Sequence, residues 1–239
     1  MSHRQRRVLL LQAGSAPAAL RARFGDFPDW FARHLAPRVE LEVVRPYERA
    51  LPSPSRFHGV LVTGSLASVT DPAPWMDEAG AWLVDAARAI PVLGVCFGHQ
   101  LLARALGGRV ELNPRGREAG TVEVQLTAAG ARDPLFAGLP ARLLAQETHE
   151  DHVAELPPGA TLLAGNARTP VQAFGVGERL RCVQFHPEFD QARSRHLAEL
   201  RRAAGEAAAW GDVDPAAVRE TPEATAVLGR WLDHFVGAR

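Results

Sequence analysis

Short, uninterrupted apolar runs separated by helix-like stretches dominate the first hundred residues, and they leave few folds open. Val8–Leu11 and Gly59-Val-Leu-Val-Thr63 are apolar without alternation, and Pro91 opens a third such run that ends at Cys96. Val39–Val44 reads as a further strand. Asp29–Leu35 reads as part of a helix, and Trp75–Ala89 repeats apolar residues at helical spacing through Trp75, Ala79, Trp82, Leu83 and Ala86. Strands that are apolar on both faces need cover on both, so the alternation predicts a mostly parallel sheet with helices on each side. Sites in such sheets form at the carboxyl ends of strands. Gly64 and Cys96 both fall at such ends.

The third run carries the most specific local pattern. Pro91-Val-Leu-Gly-Val-Cys96-Phe-Gly-His-Gln100 passes directly into Leu101-Leu-Ala-Arg-Ala-Leu106. A strand would bring the thiol to the sheet's edge, Gly94 and Gly98 would permit a crowded turn, and the following helix N-terminus would stabilise a thiolate. A cysteine packed as a small hydrophobe has the same neighbours, so the turn alone does not separate a nucleophile from a core residue. A partner ninety residues on does. Cys182-Val-Gln-Phe185 ends in His186-Pro187-Glu188. Residues two apart in a strand point the same way, so if the strand persists through Pro187, His186 can serve as a base oriented by Glu188. Alone the pair reads as a surface His and a solvated Glu; the Cys96 turn favours the first reading. Pro187 suits a strand end.

Beyond Arg109 the pattern changes. Thr121–Leu126 alternates with period two and reads as a half-exposed, antiparallel strand. Arg142–Gln146, Thr161–Ala164, Val171–Phe174 and Leu180–Phe185 continue as short strands, with a hairpin turn at Gly175-Val-Gly177-Glu178. Helical composition returns at Gln191–Trp210 and again at Asp214–Val236, where Pro222 breaks or starts a helix.

Composition narrows the function classes. Hydrophobic residues make up 46% of the 239 positions, enough for a folded core. Lys+Arg and Asp+Glu number 27 each, so net charge gives no reason to expect nucleic-acid or anionic-membrane binding. Cys96 and Cys182 form no metal-type pair and fit a reducing, cytoplasmic setting; Cys182, in mid-strand, reads as a buried structural residue. Arg4–Arg7 before Val8–Leu11 imitates an export signal, but the apolar run is shorter than the roughly 7–15 residues such a signal needs. No segment approaches the roughly 18 apolar residues of a membrane span. Trp75, Trp82, Trp210 and Trp231 fall at helical positions and read as core.

Gly94-Val-Cys96-Phe-Gly98-His-Gln100 with His186-Pro-Glu188 downstream resembles the class I, triad-type glutamine amidotransferases, closest to stand-alone members similar to the amidotransferase half of GMP synthase. Val62-Thr-Gly64-Ser65, Thr148-His-Glu-Asp151 and Val183-Gln-Phe-His-Pro-Glu188 match in order, so the resemblance runs from about residue 8 to about 190. The resemblance implies a flavodoxin-like α/β fold: a mostly parallel central sheet flanked by helices, with a smaller antiparallel region. Residues 1–190 would form the amidotransferase domain and 191–239 a helical extension packed on it.

The resemblance also implies roles. Cys96 attacks a γ-carboxamide carbon, His186 moves the proton and Glu188 orients the ring. The backbone N–H groups of Gly64 and Phe97 form the oxyanion hole. Gln100 and the Thr148–His149–Glu150 segment contact the substrate, glutamine or another γ-glutamyl compound. Two departures stand out. Thr63-Gly64-Ser65 replaces a more usual Gly-Gly-Pro, and Glu150 stands where a glycine is usual, which puts strict glutamine specificity in doubt.

Glu118, before the alternating strand, reads either as part of the active-site surroundings or as a solvated turn. His149, Glu150, Asp151 and His152 lack a second ligand set with clear spacing, so neither metal nor cofactor is expected. Without a nucleotide-binding loop, any ammonia acceptor chemistry belongs to a separate synthase subunit. The alternatives are a free-standing γ-glutamyl peptidase and a non-catalytic regulatory module on the same fold.

Overall fold

The computed structural model describes residues 5–206, 209 and 213–237. The first half alternates as the apolar runs require: β1 (Arg6–Leu11), α1 (Ala18–Phe24), α2 (Phe27–Leu35), β2 (Val39–Val44), β3 (Gly59–Val62), α3 (Pro74–Ala86), β4 (Val92–Val95) and α4 (Phe97–Ala105). Asp26 and Asp29 close a reciprocal capping box on α2, and Pro74 occupies the first turn of α3, where its missing N–H is harmless. The second half supplies β5 (Arg109–Leu112), β6 (Glu118–Leu126), β7 (Arg142–His149), β8 (Asp151–Glu155), β9 (Thr161–Gly165), β10 (Ala173–Val176) and β11 (Leu180–Val183). Two helices follow, α5 (Gln191–Ala203) and α6 (Pro222–Trp231).

Nine strands form one sheet in the order β2-β1-β3-β4-β11-β10-β9-β6-β7. The first five run parallel, with β11 taking the fifth place in the 2-1-3-4-5 order of a doubly wound flavodoxin-like sheet; from β11 onward every pairing is antiparallel. Alternate side chains feed two cores. Val8, Leu10, Leu61, Leu93 and Val95 pack with Trp30, Phe31 and Trp231 from α2 and α6 on one face. Leu9, Leu11, Val60, Val62 and Val92 pack with Met76, Leu83, Leu101 and Leu102 from α3 and α4 on the other. No helix among the described residues is long and apolar enough to cross a membrane.

The smaller antiparallel region expected beyond the parallel strands continues the main sheet from β11. Several boundaries differ from the sequence expectation. β5 and β8 pair into a separate ribbon that the periodicity did not reveal, because both are short and partly exposed. The strand expected at Val171–Phe174 forms two residues later; of the two readings of Pro222, the helix start is the one that holds. Trp231 is fully buried and Trp75 and Trp82 partly so; Trp210 lies outside the described residues.

Candidate active site

Cys96 follows β4 directly and precedes the first residue of α4. Its φ of 52° is the only positive φ of a non-glycine among the described residues. Such a conformation persists only where the surroundings over-determine it, and here they do. Its N–H bonds to the Val183 carbonyl at 2.9 Å. A Cβ on Gly94 would stand 2.7 Å from the Gly98 carbonyl, and one on Gly98 2.8 Å from Val62. Both glycines are therefore required by close approach of strand and helix. Phe97, at the first helical position, has an N–H with no partner inside the helix.

His186 arrives from the chain just past β11, with its N–H bonded to the Gln146 carbonyl at 2.9 Å. Its Nδ1 lies 2.7 Å from Glu188 Oε1, and both side chains are buried. Phe189 packs on the ring at 4.4 Å and Phe27 stacks at 6.4 Å, so the imidazole is held on two sides. Burial alone would lower its basicity. The hydrogen-bonded Glu188 carboxylate and the charge of the Cys96 sulfur outweigh burial and hold His186 well above the ordinary histidine range. Gly64, past the end of β3, closes the group: a Cβ there would come 2.8 Å from His186 Cε1. Thr63 fixes this loop by accepting from the Ala13 N–H at 3.1 Å and donating to the Gly64 carbonyl at 2.8 Å.

A cleft of about 270 Å³ opens over these groups, walled by Cys96, His186, Ser65, Thr148, Glu150 and Arg201 among others. The family model for glutamine amidotransferase class-I matches residues 29–199. This chain belongs to that family of enzymes. The glutamine-hydrolyzing GMP synthase subunit of Thermococcus kodakarensis is 43% identical over 115 residues, 47% of this chain and 57% of that protein. Gamma-glutamyl peptidase 3 of Arabidopsis thaliana is 29% identical over 144 residues, 57% of this chain and 56% of that protein. The aligned stretch spans little more than half the length of either. The crystal structure of a glutamine amidotransferase from Methylobacillus flagellatus superposes with a TM-score of 0.72 at 24% identity, covering 97% of this chain and 95% of that one, which establishes the shared fold.

Within this amidotransferase frame the remaining expected residues divide. Thr148 and Glu150 line the cleft, with Glu150 half exposed at its rim and paired with Arg117 at 2.6 Å. Gln100 borders the cleft while its amide donates to the Asp151 carbonyl at 2.8 Å and to Gln184 at 3.1 Å, so its nitrogen holds β8 in place. His149 also borders the cleft, yet both ring nitrogens are engaged behind it, with the Asp151 carbonyl and with Glu118. Glu118 belongs to β6 and is 4% exposed, which removes the solvated-turn reading.

Two wall residues and one behind them escaped the sequence reading. Ser68 donates to the Asp151 carboxylate, holding the loop after β3 against β8. Arg201, from α5, donates to Thr148 Oγ1; burial and the nearby Arg117 lower its pKa to about 10. Glu147 is buried beneath the wall. Arg201 had no local signal, since it lies on a charged helix beyond the matched family region. Glu147 had one: it stands two residues before His149 on a strand, and so shares its face.

Proposed function

We propose that this amidotransferase hydrolyses the γ-carboxamide of glutamine or a related γ-glutamyl amide through a covalent thioester on Cys96. The observation that carries the reading is the strained Cys96 backbone facing a buried, carboxylate-bound imidazole. The sulfur attacks the amide carbon, and the tetrahedral oxyanion is met by the N–H groups of Gly64 and Phe97. Loss of one such donor typically costs a hundredfold or more in rate, on the order of 3 kcal/mol. His186 protonates the departing nitrogen as the C–N bond breaks, releasing ammonia or an amine. Water, deprotonated by the same ring, then cleaves the C–S bond to give the free γ-carboxylate and the thiol. Glu188 keeps the Nδ1–H pointed and stabilises the imidazolium throughout. Thr148 and Gln100 border the amino-acid end of the substrate. A reducing compartment keeps Cys96 as the reactive thiol.

Two destinations for the nitrogen fit this chemistry. Relatedness to a GMP synthase subunit supports delivery of ammonia to a separate synthase polypeptide. The Glu150–Arg117 pair at the cleft rim, where a small flexible residue would leave more room, supports a free-standing γ-glutamyl hydrolase, as does relatedness to a gamma-glutamyl peptidase. An assay for ammonia, amine and glutamate release across glutamine and γ-glutamyl dipeptides, with Cys96→Ala as control, separates them. Turnover of dipeptides by the isolated protein supports the free-standing reading. Slow glutamine turnover alone supports the partner-dependent one. Equal release by Cys96→Ala and the parent protein would overturn both.

A further inference from the structure

Behind the cleft wall, β6 and β7 bring together three groups that the reaction above does not use. Glu118 lies directly opposite His149 in the antiparallel register, and Glu147 is two residues before His149. All three side chains therefore meet on one face of the ribbon. His149 Nδ1 is 2.8 Å from the Asp151 backbone carbonyl, which can only accept, so the ring places a proton on Nδ1. Its Nε2 then faces Glu118 Oε2 at 3.2 Å and Glu147 Oε2 at 3.4 Å. One nitrogen and two carboxylates thus come together within 4.8 Å of one another, with the carboxylates at 4% and 0% side-chain exposure.

A second observation is independent of that convergence. Neither oxygen of Glu147 meets a hydrogen-bond partner, although both are buried. The nearby Gln172 amide is given to Glu118 Oε2 at 2.9 Å, and Asn166 donates to Glu118 Oε1 at 2.7 Å. A buried carboxylate left in this way costs several kcal/mol unless a cation or proton meets it.

We propose that Glu118, Glu147 and His149 form a binding site for a first-row divalent cation of the zinc type. The one-nitrogen, two-oxygen donor set suits zinc better than calcium or magnesium, which prefer oxygen alone. Ligands about 2.0–2.2 Å from a tetrahedral zinc stand about 3.4 Å apart, and the His149 contacts already have that spacing. All three ligand atoms lie within 4.8 Å of one another. Two carboxylates neutralise a divalent charge. The Asp151 carbonyl, Gln172 and Asn166 supply the outer hydrogen bonds that orient metal ligands. Such an ion would pin β6 to β7 directly behind the substrate wall, and the sequence cluster His149–His152 gave no hint of it because its two further ligands are Glu147 and the distant Glu118.

The test uses the full chain carrying Cys96→Ala, so that the active-site thiol cannot capture zinc. After chelator treatment, titration with zinc chloride is followed by calorimetry and by melting temperature. One equivalent is expected to bind and to raise the melting temperature. Glu147→Gln is expected to weaken binding at least about tenfold, and Gln172→Leu, which keeps all three ligands, by about 10–100-fold. Glu150→Gln, next to the cluster in sequence but at the rim, is expected to leave affinity unchanged. Absence of saturable zinc binding in the Cys96→Ala chain overturns the proposal. So does unchanged affinity in a Glu147→Gln chain whose circular dichroism shows it folded. Either result would leave the site to a shared proton.

Discussion

The two halves of the sheet build the cleft by opposite means. In the parallel half, the groups around Cys96 are placed by crowding: glycines 64, 94 and 98 have His186, the α4 backbone or Val62 where a side chain would go. In the antiparallel half, the wall is placed by hydrogen bonds between buried polar groups, with Glu118, Gln146, His149, Gln172 and Gln184 all inside. Crowding tolerates almost no substitution but costs no desolvation. A polar network can be retuned residue by residue, provided each member keeps a partner. Under the proposed function, the reaction chemistry would rest on the rigid half and recognition on the adjustable one.

The largest effect tests whether packing or charge positions the base. Glu188→Gln keeps the volume but removes the carboxylate that, with Cys96, holds His186 above its ordinary range. kcat/KM is expected to fall on the order of 10³–10⁴-fold, with the imidazole titrating nearer the ordinary histidine value by NMR. A loss below tenfold would assign the orientation to Phe27 and Phe189 instead. Gly64→Ala comes next. Its Cβ would be forced against His186 Cε1, so kcat is expected to drop about a hundredfold, with an overpacking cost of about 1–3 kcal/mol in stability. Parent-like kcat would show that the loop after β3 yields, and that crowding does not govern this half.

The same contrast explains what could be read from sequence. Uninterrupted runs such as Val8–Leu11 and the one ending at Cys96 are required by burial on both faces, so the parallel sheet and the Cys96 turn were legible. His186 and Glu188 were legible as a pair two residues apart, but not for the expected reason: β11 ends at Val183, and a turn at Pro187–Glu188, not a continuing strand, brings the carboxylate to the ring. The antiparallel half was harder. Glu118 and Glu147 look like surface carboxylates until β6 and β7 are in register, because their burial depends on partners 31 and 2 residues from them in sequence. β8 begins with Asp-His, a pair that reads as loop. Arg201 reaches Thr148 across 53 residues from a helix with no distinguishing pattern.

A smaller effect probes how the halves are joined. His99, on α4, is fully buried beside Phe174 of β10. Burial first, then repulsion from His149, lowers its pKa to about 3 against a Cys182 backbone contact that opposes the shift. Between an ordinary value of 6.5 and about 3, the unfolded chain therefore binds one proton that the folded chain does not. Stability attributable to this group is complete above that range and falls as pH drops, by about 1.4 kcal/mol per pH unit. Denaturant midpoints measured from pH 7 to pH 4 are expected to fall less steeply for His99→Leu than for the parent chain. Parallel slopes for the two chains would place the acid sensitivity elsewhere.

The smallest effect concerns the adjustable half alone. Glu150→Gly restores the residue more usual in this family and removes the carboxylate facing Arg117 at the rim. With a half-exposed pair, stability is expected to stay within about 0.5 kcal/mol of the parent. Selectivity is the sensitive readout. Because neither Cys96 nor His186 is touched, kcat for glutamine is expected to hold while the ratio of kcat/KM values between glutamine and larger γ-glutamyl amides shifts about three- to tenfold. A binding difference of about 1 kcal/mol corresponds to that range. A fall in kcat on every substrate would mean that the rim carboxylate reaches the reacting atoms, and the division between a rigid chemical half and a tunable recognition half would fail at its boundary.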